Sequence, residues 1–264
     1  MNSIERVKLP IGFMDSGLGG LSVLKEAVSI LPCEDFIYYG DSANAPYGTK
    51  STREIQTLTF GVVENLMRQG IKGLVVACNT ATAAAVRLLR EKYPEMPIVG
   101  IEPAIKPACE ASRGGEILVL ATPMTLRQEK FQSLLNKYGS TSRVRAVPCE
   151  GLMEFVENCE LSGAVLDAYF KEHIQPYITD DTETIVLGCT HYPFLRPHLR
   201  EYLKNKNINI IDGSRGTAAE LRRRLCAAGL LRTDDGHTGH ITVENSAGDE
   251  MIRRSYRMLT LPTE

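Results

Sequence analysis

Residues 184–195 read TIVLGCTHYPFL, and the reading of this stretch decides the fold. Ile185, Val186 and Leu187 form a short apolar run rich in β-branched residues, the pattern of a buried strand. Gly188 then allows a close backbone approach, and Cys189, Thr190 and His191 stand where the strand ends. Pro193 suits the first turn of a helix expected over about 194–204. A thiol placed after a strand and before a helix lies in the crevice where open α/β sheets bind ligands, and the field of that helix would favour its thiolate.

The same arrangement occurs earlier. Residues 73–86 read GLVVACNTATAAAV, an apolar run followed by Cys78, Asn79, Thr80 and an alanine-rich helix. One such cysteine is commonly a small buried hydrophobe. Two in matching contexts imply a repeated strand, cysteine and helix unit, whose thiols can face each other across a cleft.

Composition narrows the classes. The chain has 264 residues and a net charge of −2, enough length for one large or two smaller α/β domains and no electrostatic footprint for nucleic acid. Its longest apolar runs are of strand length, so no membrane span is expected, and MNSIERVKLP at the start lacks a secretory apolar centre. Seven cysteines without compact even spacing, and with no CxxC or CxxH pair, point to free thiols in a reducing cytoplasm and to no metal site.

Outward from the two cysteine units, strands and helices alternate. Strands are expected at 10–14, 35–39, 97–101, 116–121, 144–147, 207–212 and 239–245, with helices at 21–31, 51–69, 104–112, from after Thr125 to Tyr138, and at 217–228. The span 151–177 carries one or two helices broken near Gly163, and 213–216 reads as a turn. Arg253, Arg254 and Arg257 read as a solvated face. The alternation predicts parallel sheets, and the two cysteine units with the turns after Met14 and Ala121 suggest a duplicated layout, two similar parallel-sheet α/β domains related by a pseudo-twofold with the site in the cleft between them: residues 1–100 plus a returning tail 213–264, and residues 101–212.

The glycine-rich turn DSGLGG at 15–20 has neither the dinucleotide spacing nor a P-loop lysine, and delivers the Asp15 carboxylate and Ser16 hydroxyl to a strand end. Either residue is equally suited to capping the helix that follows. The polar loop GDSANAPYGT at 40–49 carries a Pro46, Tyr47, Gly48 turn.

Paired thiols admit several chemistries. Disulfide exchange prefers cysteines close in sequence or on a mobile loop, and a cysteine hydrolase with His191 as base would leave the second thiol unexplained. Proton transfer uses both, because inverting a stereocentre needs a base on one face and an acid on the other, and a thiol with a pKa of about 8.5 serves either role near neutrality. Asp15 could then meet a substrate ammonium. Ser16, Asn79, Thr80, Thr122, Thr190 and the backbone at Gly48 could hold carboxylates, while His191 relays a proton or tunes Cys189. No lysine stands in a Schiff-base or phosphate-cradle context, so no pyridoxal phosphate is expected.

The segments GFMDSGLGGLSVL, YYGDSANAPYG, VVACNTATA, GIEPAIKPA, LATPMTL and VLGCTHYPFL together closely resemble the glutamate racemases of the aspartate/glutamate racemase superfamily, over nearly the whole chain. The resemblance implies cofactor-independent interconversion of L- and D-glutamate, supplying peptidoglycan synthesis, in a cytoplasmic homodimer. It implies Cys78 as the base toward D-glutamate and Cys189 toward L-glutamate. Asp15, Ser16, Pro46, Tyr47, Gly48, Asn79, Thr80, Thr122, Thr190 and His191 would line the substrate, with Glu157 a supporting acid near the histidine. Asn44 stands where relatives often carry arginine, and Glu150 and Gly151 interrupt a usually more apolar stretch. A sister racemase acting on aspartate or a hydantoin, and a non-catalytic amino-acid binding protein, are the competing readings.

Overall fold

In the computed structural model, which describes residues 3–139, 142–233 and 236–263, every strand pairing is parallel. In chain order the first elements are α1 (Ser3–Val7), β1 (Ile11–Asp15), α2 (Leu21–Ile30), β2 (Phe36–Gly40), α3 (Thr52–Arg68), β3 (Gly73–Val76), α4 (Asn79–Lys92) and β4 (Ile98–Gly100). There follow α5 (Ile105–Ala111), β5 (Glu116–Ala121), α6 (Pro123–Arg127), α7 (Glu129–Gly139), β6 (Arg143–Pro148), α8 (Leu152–Glu157), α9 (Ala164–His173), β7 (Thr182–Leu187), α10 (Arg196–Tyr202) and β8 (Asn209–Asp212). The chain ends with α11 (Ser214–Ala227), β9 (Ile241–Asn245) and α12 (Asp249–Thr260).

Two compact units result: residues 1–101 with 214–260, and residues 102–213 with 261–264. The first holds a five-stranded sheet in the order β4-β3-β1-β2-β9, the second a four-stranded sheet in the order β6-β5-β7-β8. Buried residues account for the near-continuous apolar strands, since β1, β3 and most of β5 and β7 are covered on both faces. Phe13 and Phe36 meet edge to face at 5.9 Å in the first core. In the second, Ile105, Ala108, Ile117, Val119, Phe131 and Val186 form one buried cluster.

Local chemistry explains most boundaries. Ser51 accepts from the Glu54 amide while the Glu54 carboxylate accepts from the Ser51 amide, a capping box that starts α3. Gly163, with φ of 108°, marks the expected break between α8 and α9. Gly188 has the close approach read from the sequence: its amide donates to the Leu120 carbonyl at 2.7 Å, and a Cβ there would stand 2.8 Å from that oxygen.

Four expectations are corrected. The helix expected over 194–204 is a 3-10 turn, Tyr192–Leu195, followed by α10 from Arg196. Pro197 explains this, because it has no amide to give the carbonyl of Pro193 and so an α-helix cannot run through the pair. The helix drawn to Tyr138 divides into α6 and α7 at Gln128, whose backbone is extended. Residues 214–216, drawn as part of a turn, belong to the first turn of α11, where a glycine costs only about 1 kcal/mol. The basic tail stretch lies on a helix, α12, that periodicity had not marked; its Arg253 and Arg257 are exposed as expected while Ser255 and Met258 are buried.

Candidate active site

Parallel strands deliver their carboxyl ends to one edge of each sheet, and the predicted site residues collect there. In the first unit, β3, β1 and β2 are neighbours, so their exits bring together Cys78, the Asp15–Ser16 turn and the loop after Gly40. Ala77 donates to the Met14 carbonyl at 2.8 Å and Asp41 to the Asp15 carbonyl at 2.9 Å, which ties the three exits together.

Cys78 is the N-cap of α4. Its sulfur accepts from the Ala81 amide at 3.5 Å and lies 3.5 Å from the Ser16 hydroxyl, with only 5% of the residue exposed. Fourteen residues of aligned helix dipole face this sulfur, so the helix field expected for a strand-end thiol is present here. Asp15 is fully buried and its Oδ2 accepts from the Gly17 amide at 2.9 Å. Neither Asp15 nor Ser16 caps α2, whose N-cap is Gly20 without any side-chain bond. A Cβ on Gly20 would lie 2.6 Å from that of Asp15, so the turn packs directly on the carboxylate's stem. Asn79 and Thr80 open α4 and are buried, and the Asn79 Oδ1 is buried without a hydrogen-bond partner. Tyr47 is buried as well. Burial, then a hydrogen bond to Asp41, then the charges of Asp41, Cys78 and Asp15 raise its pKa, so its hydroxyl stays protonated. Pro46 and Gly48 are half-buried on either side of it.

The second unit surrounds its thiol differently. With a 3-10 turn in place of an α-helix after Cys189, the axial field is weak. His191 takes over the role: its Nδ1 lies 3.6 Å from the Cys189 sulfur, and its Nε2 donates to Glu157 Oε1 at 2.6 Å. Burial disfavours the imidazolium, but the bonds to Cys189 and Glu157 and their charges outweigh it and hold the His191 pKa well above its ordinary value. Glu157 ends α8 and fixes which ring nitrogen faces the sulfur. Thr190 is buried beside this pair, and Thr122 caps α6 at the exit of the neighbouring β5, accepting from the Thr125 amide at 3.3 Å.

A raised histidine pKa stabilises the fold fully below about 6.5, the unfolded value, and that contribution is lost as pH rises through the elevated folded value. Glu157→Gln is therefore expected to move the His191 titration to lower pH, followed by NMR of the ring protons with His191→Asn as the assignment control. An unmoved midpoint would show that Glu157 does not charge the histidine.

Two features were not read as site residues in the sequence. Cys149 follows β6 and is a third strand-end thiol, but burial and then the nearby charge of Cys189 push its pKa up to about 12. It keeps its proton near neutrality, and in sequence it is followed by Glu150 and Gly151 rather than by the hydroxyl and amide side chains that follow Cys78 and Cys189. Asp41 reads only as part of a polar loop in the sequence, although the spacing of three between Asp41, Asn44 and Tyr47 is a pattern of side chains able to bond one another. Among the described residues, no group of three or more His, Cys, Asp and Glu side chains is placed to hold a metal ion, and no helix is long and apolar enough to cross a membrane.

The profile of the Asp/Glu/Hydantoin racemase family matches residues 11–221. A glutamate racemase of Clostridium botulinum strain Alaska E43 is 50% identical over 257 residues, covering 97% of this chain and 99% of that one. The chain belongs to this racemase family. Among solved structures, a glutamate racemase isoform from Bacillus anthracis superposes with a TM-score of 0.85 at 32% identity, over 96% of this chain and 95% of the other. The glutamate racemase of Francisella tularensis in complex with D-glutamate gives 0.82 at 28% identity, over 97% and 95%.

Proposed function

We propose that this protein interconverts L- and D-glutamate without a cofactor by two-base proton transfer, supplying D-glutamate for peptidoglycan synthesis from a cytoplasmic homodimer. One observation carries the reading: each unit ends a buried strand in a thiol that has its own polar partner, a helix N-terminus at Cys78 and a histidine–carboxylate pair at Cys189.

In the direction acting on D-glutamate, the Cys78 thiolate takes the α-proton and the Cys189 thiol gives one to the opposite face of the α-carbon. The reverse direction exchanges the roles. The electron pair left at the α-carbon delocalises into the α-carboxylate, which hydroxyl and amide donors of Ser16, Asn79, Thr80, Thr122 and Thr190 stabilise. The buried Asp15 carboxylate and the Asn79 Oδ1 are acceptors suited to the ammonium. His191 takes or returns the Cys189 proton, and Glu157 balances the imidazolium charge. Glutamate is favoured over aspartate or a hydantoin because the half-identical relative and both superposed structures are named glutamate racemases.

The test is to incubate the protein with L-glutamate, and separately L-aspartate, in deuterated water without added cofactor. The expected result is D-glutamate carrying α-deuterium and little turnover of aspartate. Ligand binding with no exchange at the α-carbon would overturn the catalytic reading, and preferential turnover of aspartate would overturn the substrate.

A further inference from the structure

Asp41 has no assigned role, yet it is a carboxylate with 2% exposure in a loop that is otherwise half-open to solvent. A buried carboxylate is tolerated only when hydrogen bonds replace its water. Here the replacement is local. Tyr47 Oη donates to Asp41 Oδ2 at 2.7 Å, and Asn44 Nδ2 donates to Oδ1 at 3.0 Å and Oδ2 at 3.2 Å. The Asp41 amide donates in turn to the carbonyl of Asp15 at 2.9 Å, and the Asn44 amide to the Asp41 carbonyl at 3.0 Å.

The segment it organises has no strand of its own. Residues 42–49 are two 3-10 turns, Ser42–Asn44 and Tyr47–Thr49, joined by extended backbone at Ala45 and Pro46. Such turns hold little conformation by themselves, because each closes only one or two backbone bonds. The Tyr47 ring is buried, so its hydroxyl must find a partner inside the protein, and the partner is Asp41. With that hydroxyl engaged, what Tyr47 has left to offer a ligand is the backbone of the Pro46–Gly48 turn. The place of that turn relative to Asp15 is then set by the Asp41 carboxylate.

We propose that Asp41 is a positioning residue for the glutamate site: its carboxylate locks Tyr47 and Asn44, and so holds the Pro46–Gly48 turn in place beside Asp15 for binding a substrate carboxylate. The proposal rests on the glutamate reading above. It assigns Asp41 no proton transfer and no substrate contact.

The consequence is a split between binding and chemistry. Because the turn contacts substrate alike in the ground and transition states, loosening it should raise KM about tenfold or more while kcat changes several-fold at most. Tyr47→Phe removes one oxygen and should reproduce most of the effect of Asp41→Asn. The double variant should be little worse than either, because both act on the same charge-assisted bond, Asp41→Asn by removing the charge and Tyr47→Phe by removing the donor. Asn44→Ala should have a smaller effect, since Tyr47 retains its partner.

The experiment measures racemisation kinetics, D-glutamate affinity by calorimetry and thermal melting for the parent, Asp41→Asn, Tyr47→Phe and the double variant. Raised KM, weakened affinity and non-additivity in well-folded variants are expected. If the parent turns over glutamate and the variants keep its KM and affinity, the positioning role is wrong. Additive losses, or losses in kcat alone, would overturn it equally. Should Asp41→Asn fail to fold, Tyr47→Phe with an unchanged KM is by itself decisive against it. If the parent binds glutamate without turnover, the racemase reading fails while affinity still tests Asp41; if it does neither, both readings fall.

Discussion

Cys78→Ser and Cys189→Ser are each expected to reduce racemisation by about 10³-fold or more, the scale lost with an essential acid–base group. A serine hydroxyl keeps its proton at neutral pH and cannot replace a thiolate base. The two variants should separate in stability, which makes the experiment specific. Cys78 caps α4 with a sulfur that accepts from Ala81 at 3.5 Å, and serine is among the preferred N-cap residues. Cys78→Ser should therefore melt at or slightly above the parent while losing activity, so that no unfolding can explain the loss. Cys189 caps no helix, and its serine variant should be near neutral in stability. Near-parental turnover in either variant, measured with both enantiomers, would remove two-base chemistry from consideration.

The second large effect concerns folding. Glu34→Gln is expected to destabilise the protein by about 3–5 kcal/mol, the cost of leaving one member of a buried ion pair alone. The Lys72 and Glu34 side chains are at most 1% exposed and pair directly, so solvent screening offers no relief. The Lys72 ammonium also donates to the Val7 carbonyl, and Glu34 Oε1 accepts from the Arg232 amide at 2.8 Å. One node thus joins the end of α1, the approach to β2, the start of β3 and the segment preceding β9. Burial lowers the Lys72 pKa, with Glu34 opposing that shift. Without Glu34 the pKa falls further, and the unfolded chain then binds more protons than the folded one up to the ordinary lysine value. The deficit should accordingly shrink as pH rises toward about 10.4. Denaturant midpoints compared at neutral and alkaline pH check this. Glu34→Leu combined with Lys72→Met should recover much of the loss, and a single variant as stable as the parent would show that the pair is not a node.

Much of this was legible before any coordinates. Apolar runs followed by a small residue and a cysteine were enough to place β3 and β7, because a strand buried on both faces is apolar throughout and its exit is where polarity resumes. The capping box at Ser51 and Glu54 and the glycine break at Gly163 are likewise local chemistry. Asp15, Ser16, Asn79, Thr80, Thr122, Thr190 and His191 were located as residues at strand exits for the same reason. The failures had equally definite causes. Pro193 alone suggests a helix after Cys189 that Pro197 interrupts, and α12 lies in a stretch where charge masks a narrow apolar stripe.

By itself, the sequence determined the parallel alternation, the strand exits and the two thiols that stand there, because each depends on periodicity or on residues a few positions apart. Tertiary structure alone supplied the contact that charges His191 and the burial that keeps Cys149 protonated. Glu157 reaches His191 across 34 positions of chain, and Cys149 is silenced by burial rather than by its neighbours in sequence. Strand order similarly set Asp41 beside Asp15, and the returning segment that gives Glu34 its Arg232 partner. The physical reason is that desolvation and hydrogen bonding act through space, and a side chain's proton affinity is settled only when the rest of the chain has packed around it.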